Sequence, residues 1–163
     1  SEISLECHMF KNLAAVIVLS LVFSGSASAD AYNNAYDDYQ AGNYKDALTG
    51  FKALAETGDV RAQTYVGLMY DLGQGVSQDY GQSVNWYRKA AEQGYGYAQN
   101  YLGYMCQEGK GIAQDYVQAY MWYSLAAAGG DTVAIAGRDF IAKDMTPAQI
   151  AEAQSLARDW EPS

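Results

Sequence analysis

The sequence predicts an all-α solenoid of antiparallel helix pairs, with about eight helices after a leader, and three observations carry that prediction. The first is an internal repeat: residues 61–96 and 97–132 align without a gap at an offset of 36, with 16 identities. A period in this range marks stacked helical units, because one unit alone cannot bury its apolar face. The second is punctuation, since glycine and aspartate recur at the same places in both copies. The third is residue usage: 15 Tyr and 16 Gly beside only two Pro argue for helices packed through rings and small residues rather than for strands.

Length and composition frame the rest. The chain has 163 residues, half of them apolar and 18% charged, which suits one globular domain with a core. Its first Met is Met9, and residues 1–8 carry no recognisable role. From Met9-Phe10-Lys11-Asn12 the chain enters an apolar run, Leu13–Phe23, and then Ser24-Gly25-Ser26-Ala27-Ser28-Ala29-Asp30. One basic residue, a short apolar stretch and a small-x-small end predict a secretory signal peptide over residues 9–29, with Ala27 and Ala29 at the cleavage positions. As a helix the run would span only about 16 Å, half a bilayer core, so no stable membrane insertion is expected after cleavage. Export to the periplasm of a Gram-negative bacterium is the expectation, with secretion as the alternative.

Without residues 1–29, 17 acidic and 9 basic residues leave a net charge of −8. That disfavours nucleic acid and anionic lipid and favours a neutral or basic protein or peptide partner. Cys7 precedes the predicted leader and would leave with it, so Cys106 stands alone in the mature chain and reads as a small buried apolar residue.

The elements follow in order. Residues 30–60 form an N-terminal helix pair, in which Gly42-Asn43-Tyr44 make the turn and Ala47, Phe51 and Leu54 the packing stripe. In the first full repeat, 61–96, Ala62, Val66, Met69 and Tyr70 fall on one helical stripe. Gly67 and Gly103 are small where a neighbouring helix must come close, and Gly73-Gln74-Gly75 and Gly109-Lys110-Gly111 end the first helices. Asp79 with Gln82, and Asp115 with Gln118, have capping-box spacing at the start of the second helices. Trp86, Tyr87, Ala90 and Ala91 give the second helix its packing face, and 97–132 repeats the scheme. Residues 133–163 hold a partial repeat and a charge-rich capping helix, opened by Thr146 as N-cap and Pro147 at its first position.

The spaced pattern A-x-x-x-[VL]-G-x-x-x-x-x-G-x-G-[VI]-x-x-D-x-x-x-[SA]-x-x-W-Y-x-x-A-A-x-x-G, present twice, resembles the Sel-one-like repeat, a relative of the tetratricopeptide repeat. The resemblance implies a right-handed superhelix, a protein-interaction role and no enzymatic activity. Cys106 departs from it, standing where the first copy has Tyr70, and should leave a looser spot in the second copy's core. Cysteine-rich bacterial members have been labelled β-lactamase-like or penicillin-binding, but they carry a cysteine pair per unit, which Cys106 alone cannot supply. That activity is the weaker alternative; a structural envelope scaffold without a dedicated ligand is the other.

Catalytic chemistry finds no footing. The one histidine, His8, precedes the predicted leader and would be removed with it, so a mature His-based triad or His metal site is not expected. The S-x-x-K and phosphate-loop motifs are absent, and the adjacent Asp37 and Asp38 point to different sides of a helix. Neither metal nor cofactor is expected. If first helices line the concave face, the positions turned away from the core are Thr64, Leu68 and Asp71, then Asn100, Tyr104 and Gln107. The copies differ at all three places, as partner-facing positions would. Tyr32, Tyr36 and Tyr39, at helical spacing, either extend that surface or pack against the next helix.

Overall fold

A computed structural model describes residues 27–163; residues 1–26, with most of the predicted leader, lie outside the described part. Helix α1 occupies residues 27–40, followed by α2 (Tyr44–Glu56), α3 (Val60–Leu72), α4 (Tyr80–Glu92), α5 (Gly96–Glu108) and α6 (Tyr116–Ala128). Helix α7 (Thr132–Ile141) runs into a 3-10 turn, Ala142–Asp144, and α8 (Pro147–Asp159) closes the chain. Among the described residues there are eight helices and no strand, an all-α solenoid of successive antiparallel pairs. From α2 to α7 each helix packs on its chain neighbours; α5 also meets α7 across one unit, and α8 packs on α6 rather than on α7.

Local chemistry sets the ends. Asp59 caps α3 by accepting from the Arg61 and Ala62 N–H groups at 2.9 and 3.1 Å, and Asp131 does the same for α7. Asp79 and Asp115 accept from the Gln82 and Gln118 N–H groups, each at 3.0 Å. The expected capping boxes are therefore only half present. The reason is that the Asp79 and Asp115 N–H groups already donate to the Tyr70 and Cys106 carbonyls, leaving the glutamines nothing to receive. The complete box forms at α8 instead, where Thr146 N donates to Gln149 Oε1 at 2.8 Å and Gln149 N to Thr146 Oγ1 at 3.3 Å.

The repeated small residues answer to close approaches. A Cβ on Gly67 would lie 2.7 Å from Tyr87 Cδ1, and one on Gly103 would lie 2.8 Å from Tyr123 Cδ1. Gly75 and Gly111 have positive φ, 71° and 67°, and a Cβ there would strike the carbonyls of Tyr44 and Tyr80. Each loop thus sits on the first turn of the preceding unit's second helix. Gln63 and Gln99, buried, donate to the Ala55 and Ala91 carbonyls at 3.1 and 3.2 Å, tying each first helix to the last turn of the helix before it. These bonds give the repeated glutamines a structural reason.

Rings repeat as well. Phe51 stacks on Tyr65 with centroids 4.7 Å apart, and Tyr87, 36 residues after Phe51, stacks on Tyr101 at 4.9 Å. The third such pair lacks a ring: Tyr123 meets Gly137, whose Cβ would lie 2.8 Å from Tyr123 Cζ.

Two packing expectations change. Trp86 is only half-buried and carries Lys89 over its ring at 4.1 Å, whereas its counterpart Trp122 is buried against the edge of Trp160. Cys106 does not loosen the second copy's core. Its side chain is 2% exposed and burial pushes its thiol up to about 11, with Asp115 adding to the effect. The larger Tyr70 instead reaches outward, where its hydroxyl accepts from Lys52 Nζ at 2.8 Å.

Candidate functional site

The first helices present one face in a common register. Stepping by 36 residues, Arg61, Tyr97 and Val133 are equivalent, as are Thr64, Asn100 and Ala136, and Leu68, Tyr104 and Phe140. Two adjoining depressions lie on this face and share Tyr101 as a wall.

The N-terminal depression, of about 290 Å³, is bounded by Tyr32 from α1 and by Arg61, Thr64, Tyr65 and Leu68 from α3, with Tyr95 and Tyr97 opposite. Its charges satisfy one another. The Arg61 guanidinium lies 4.0 Å from the Tyr32 ring centroid, and its Nη2 donates to Asp59 Oδ2 at 2.7 Å. Burial alone would raise the Asp59 carboxyl, but bonds from Arg61 and from the α3 backbone outweigh it and hold the group below its ordinary value. Thr64 lines the wall but is 7% exposed, and its hydroxyl donates to the Val60 carbonyl at 2.7 Å. Its polar group is spent on its own helix.

The C-terminal depression is larger, about 570 Å³. Asp71 enters it from α3, Asn100, Tyr104 and Gln107 from α5, and Val133, Gly137 and Phe140 from α7. Val133 is 67% exposed and Phe140 58%, an apolar surface that α7 leaves uncovered. Lys110 Nζ donates to the Tyr104 hydroxyl at 2.9 Å and lies 4.9 Å from that ring's centroid. Asn100 donates to Asp131 Oδ2 at 3.2 Å; Gln107 accepts from the Tyr123 hydroxyl at 2.9 Å and donates to Glu108 at 2.9 Å. Asp71 differs from all of these. Burial raises its carboxyl above the ordinary value, opposed only by the charge of Lys110, and it joins no ion pair among the described residues.

The structure thus brings Thr64 and Leu68 to the first depression with Tyr32, and Asp71, Asn100, Tyr104 and Gln107 to the second. Tyr36 and Tyr39 line neither. Their rings stand edge-on to Tyr65 of α3 at 5.8 and 5.3 Å, so they pack inside the protein, against the helix beyond the next one. Sequence reasoning missed Arg61, Tyr95, Tyr97, Tyr101, Val133 and Phe140. Carrying the 36-residue register one step beyond residue 132 would have found Val133 and Phe140. Tyr101 was hidden because it matches Tyr65 and so read as packing.

Among the described residues no group of three or more His, Cys, Asp or Glu is placed to hold a metal ion, and no helix is long and apolar enough to cross a membrane.

Antiparallel pairs repeating every 36 residues define a short-repeat α-solenoid. The Sel1 repeat model matches residues 60–95 and 96–131, so the chain carries two Sel1 repeats. Among solved structures it is similar to c5321, described as a protective antigen present in uropathogenic Escherichia coli strains and displaying an SLR fold. That match has a TM-score of 0.79 and 30% identity, over 82% of this chain and 29% of that one. It is also similar to a Sel1 repeat protein from Oxalobacter formigenes, with a TM-score of 0.65 and 35% identity over 70% of this chain and 49% of that one. The chain therefore spans under a third of the first and about half of the second. No curated protein matches it. Sel1 repeat proteins generally mediate protein–protein interactions and are typically non-catalytic scaffolds.

Proposed function

We propose that the chain is an exported, non-enzymatic scaffold that holds a peptide or helical segment of a partner protein on its first-helix face. One observation carries the reading. The outward first-helix positions at which the two copies disagree, 64/100, 68/104 and 71/107, line the paired depressions, while repeated positions such as Gly67, Gln63 and Gly75 are consumed by packing, ties and turns. Exposed Tyr104, Val133 and Phe140 give that face apolar anchors of the kind interfaces use. The leader over residues 9–29 supports the exported part, with the periplasm of a Gram-negative bacterium as the compartment.

The test places a photoreactive phenylalanine at Tyr104 or, as a control, at exposed Asn85 on α4, and irradiates the protein with envelope extract. The expected result is a discrete adduct from position 104 only. With the photoreactive residue kept at position 104, Leu68→Asp combined with Phe140→Asp should remove it and leave the melting temperature within a few degrees. Adducts from position 85 alone would move the binding face to the second helices.

A further inference from the structure

We infer that the C-terminal depression is a seat for a cationic side chain, a lysine or arginine of the partner segment, with its aliphatic stem against Tyr104 and Phe140 and its charge on Asp71. The inference rests on the binding role proposed for this face and names the chemistry that it selects.

Charge accounting within the depression leads there. Three acids stand in or beside it. Asp131 is occupied, since Oδ1 caps α7 through the Val133 and Ala134 N–H groups and Oδ2 accepts from Asn100. Glu108 accepts from Gln107. Only the Asp71 carboxylate makes neither an ion pair nor a hydrogen bond with a described residue, although the residue is half-buried and its backbone carbonyl accepts from Gln78 Nε2. A carboxylate removed from water without a partner costs free energy until a cation arrives. Its counterpart one unit on, Gln107, is neutral, so Asp71 is the one acid among the lining residues.

The walls suit the stem of such a side chain. Tyr101 and Tyr104 offer ring faces from α5, and Phe140 and Val133 offer uncovered apolar surface from α7. Space comes from Gly137, which stands where the register would place a third tyrosine after Tyr65 and Tyr101. The chain displays the same recognition within itself at the rim, where the Lys110 ammonium rests over the Tyr104 ring and bonds its hydroxyl. In the N-terminal depression Arg61 and Asp59 fill the two roles internally, the cation over Tyr32 and the acid on the guanidinium. In the C-terminal depression the one cation, Lys110, is held at the rim on the Tyr104 hydroxyl and forms no ion pair with Asp71, which leaves the seat beside that carboxylate to a cation from outside.

The test uses octapeptide arrays in which the fourth residue is fixed as Lys, Arg, norleucine, citrulline or Glu and the others are randomised, probed with the full chain at physiological salt. The Lys and Arg sets should bind at least about tenfold better than the norleucine and citrulline sets. Asp71→Asn should erase that preference without lowering the melting temperature. Equal binding of the norleucine and lysine sets would overturn the cationic seat while leaving a binding groove. A Lys and Arg preference that persists in Asp71→Asn would assign it to net charge and overturn the seat as well. No binding by any set would overturn both the seat and the binding role beneath it.

Discussion

The two depressions are built from the same register and differ in what they leave unmet. In the N-terminal one, Tyr65 sits on Phe51, three α1 tyrosines surround it, and Arg61 and Asp59 cancel each other. In the C-terminal one a glycine replaces the ring, the acid forms no ion pair among the described residues, and Phe140 faces solvent. A repeat protein can thus keep one backbone scheme and still assign structure to one end of a face and recognition to the other.

The sharpest way to break this contrast is to remove one ring from each end. Tyr65→Ala should cost about 3 kcal/mol, because it strips a ring stacked on Phe51 and met edge-on by Tyr32, Tyr36 and Tyr39. Phe140→Ala should stay within about 0.5 kcal/mol, since most of that ring is in water. Urea unfolding followed by far-UV circular dichroism reads both, and equal losses would erase the distinction between a filled and an open end.

A smaller effect separates the two acids. Asp59→Ala removes the α3 cap and the Arg61 pair together and should cost about 1–2 kcal/mol at neutral pH. The folded-state pKa of Asp59 is depressed, so its contribution is present above the unfolded value, near 3.8, and is lost as pH falls through the folded one. The gap between parent and variant should therefore narrow on acidification.

The smallest effect has the opposite sign. Because the folded-state pKa of Asp71 is raised, the parent loses stability as pH rises from about 3.8 through the folded value. Asp71→Asn should match or slightly exceed the parent at neutral pH, within about 0.5 kcal/mol. Thermal melts across that window check the sign; a clear loss in the variant would mean that Asp71 is paired inside the protein.

Much of the fold was legible because packing repeats and repetition is visible. Gly67 and Gly103 announced a close approach, and Thr146-Pro147 a helix start, from identity and spacing alone. What stayed hidden depended on which neighbour a residue meets. The period of Tyr32, Tyr36 and Tyr39 placed them on one face but could not say that Tyr65 would stand in front of it. Gln82 and Gln118 had the right spacing for a cap, yet the backbone donors they needed were claimed by carbonyls across the loop. On the binding face, differences between copies pointed to Leu68, Asp71 and Tyr104. They could not show that the Thr64 hydroxyl is turned back to its own helix, or that Phe140 continues the row after the repeat has faded.

The joints at Gly75 and Gly111 bear on how such a chain can grow. Each seats a loop on the helix start of the unit before it, and Gln63 and Gln99 reach back in the same direction. Every unit therefore carries the key for its predecessor's lock. An extra copy of residues 61–96 spliced in tandem would arrive with its own fastening and need no accommodating change elsewhere. Lengthening the array is then a matter of gene duplication alone, and the new length of face is free to drift toward a new partner.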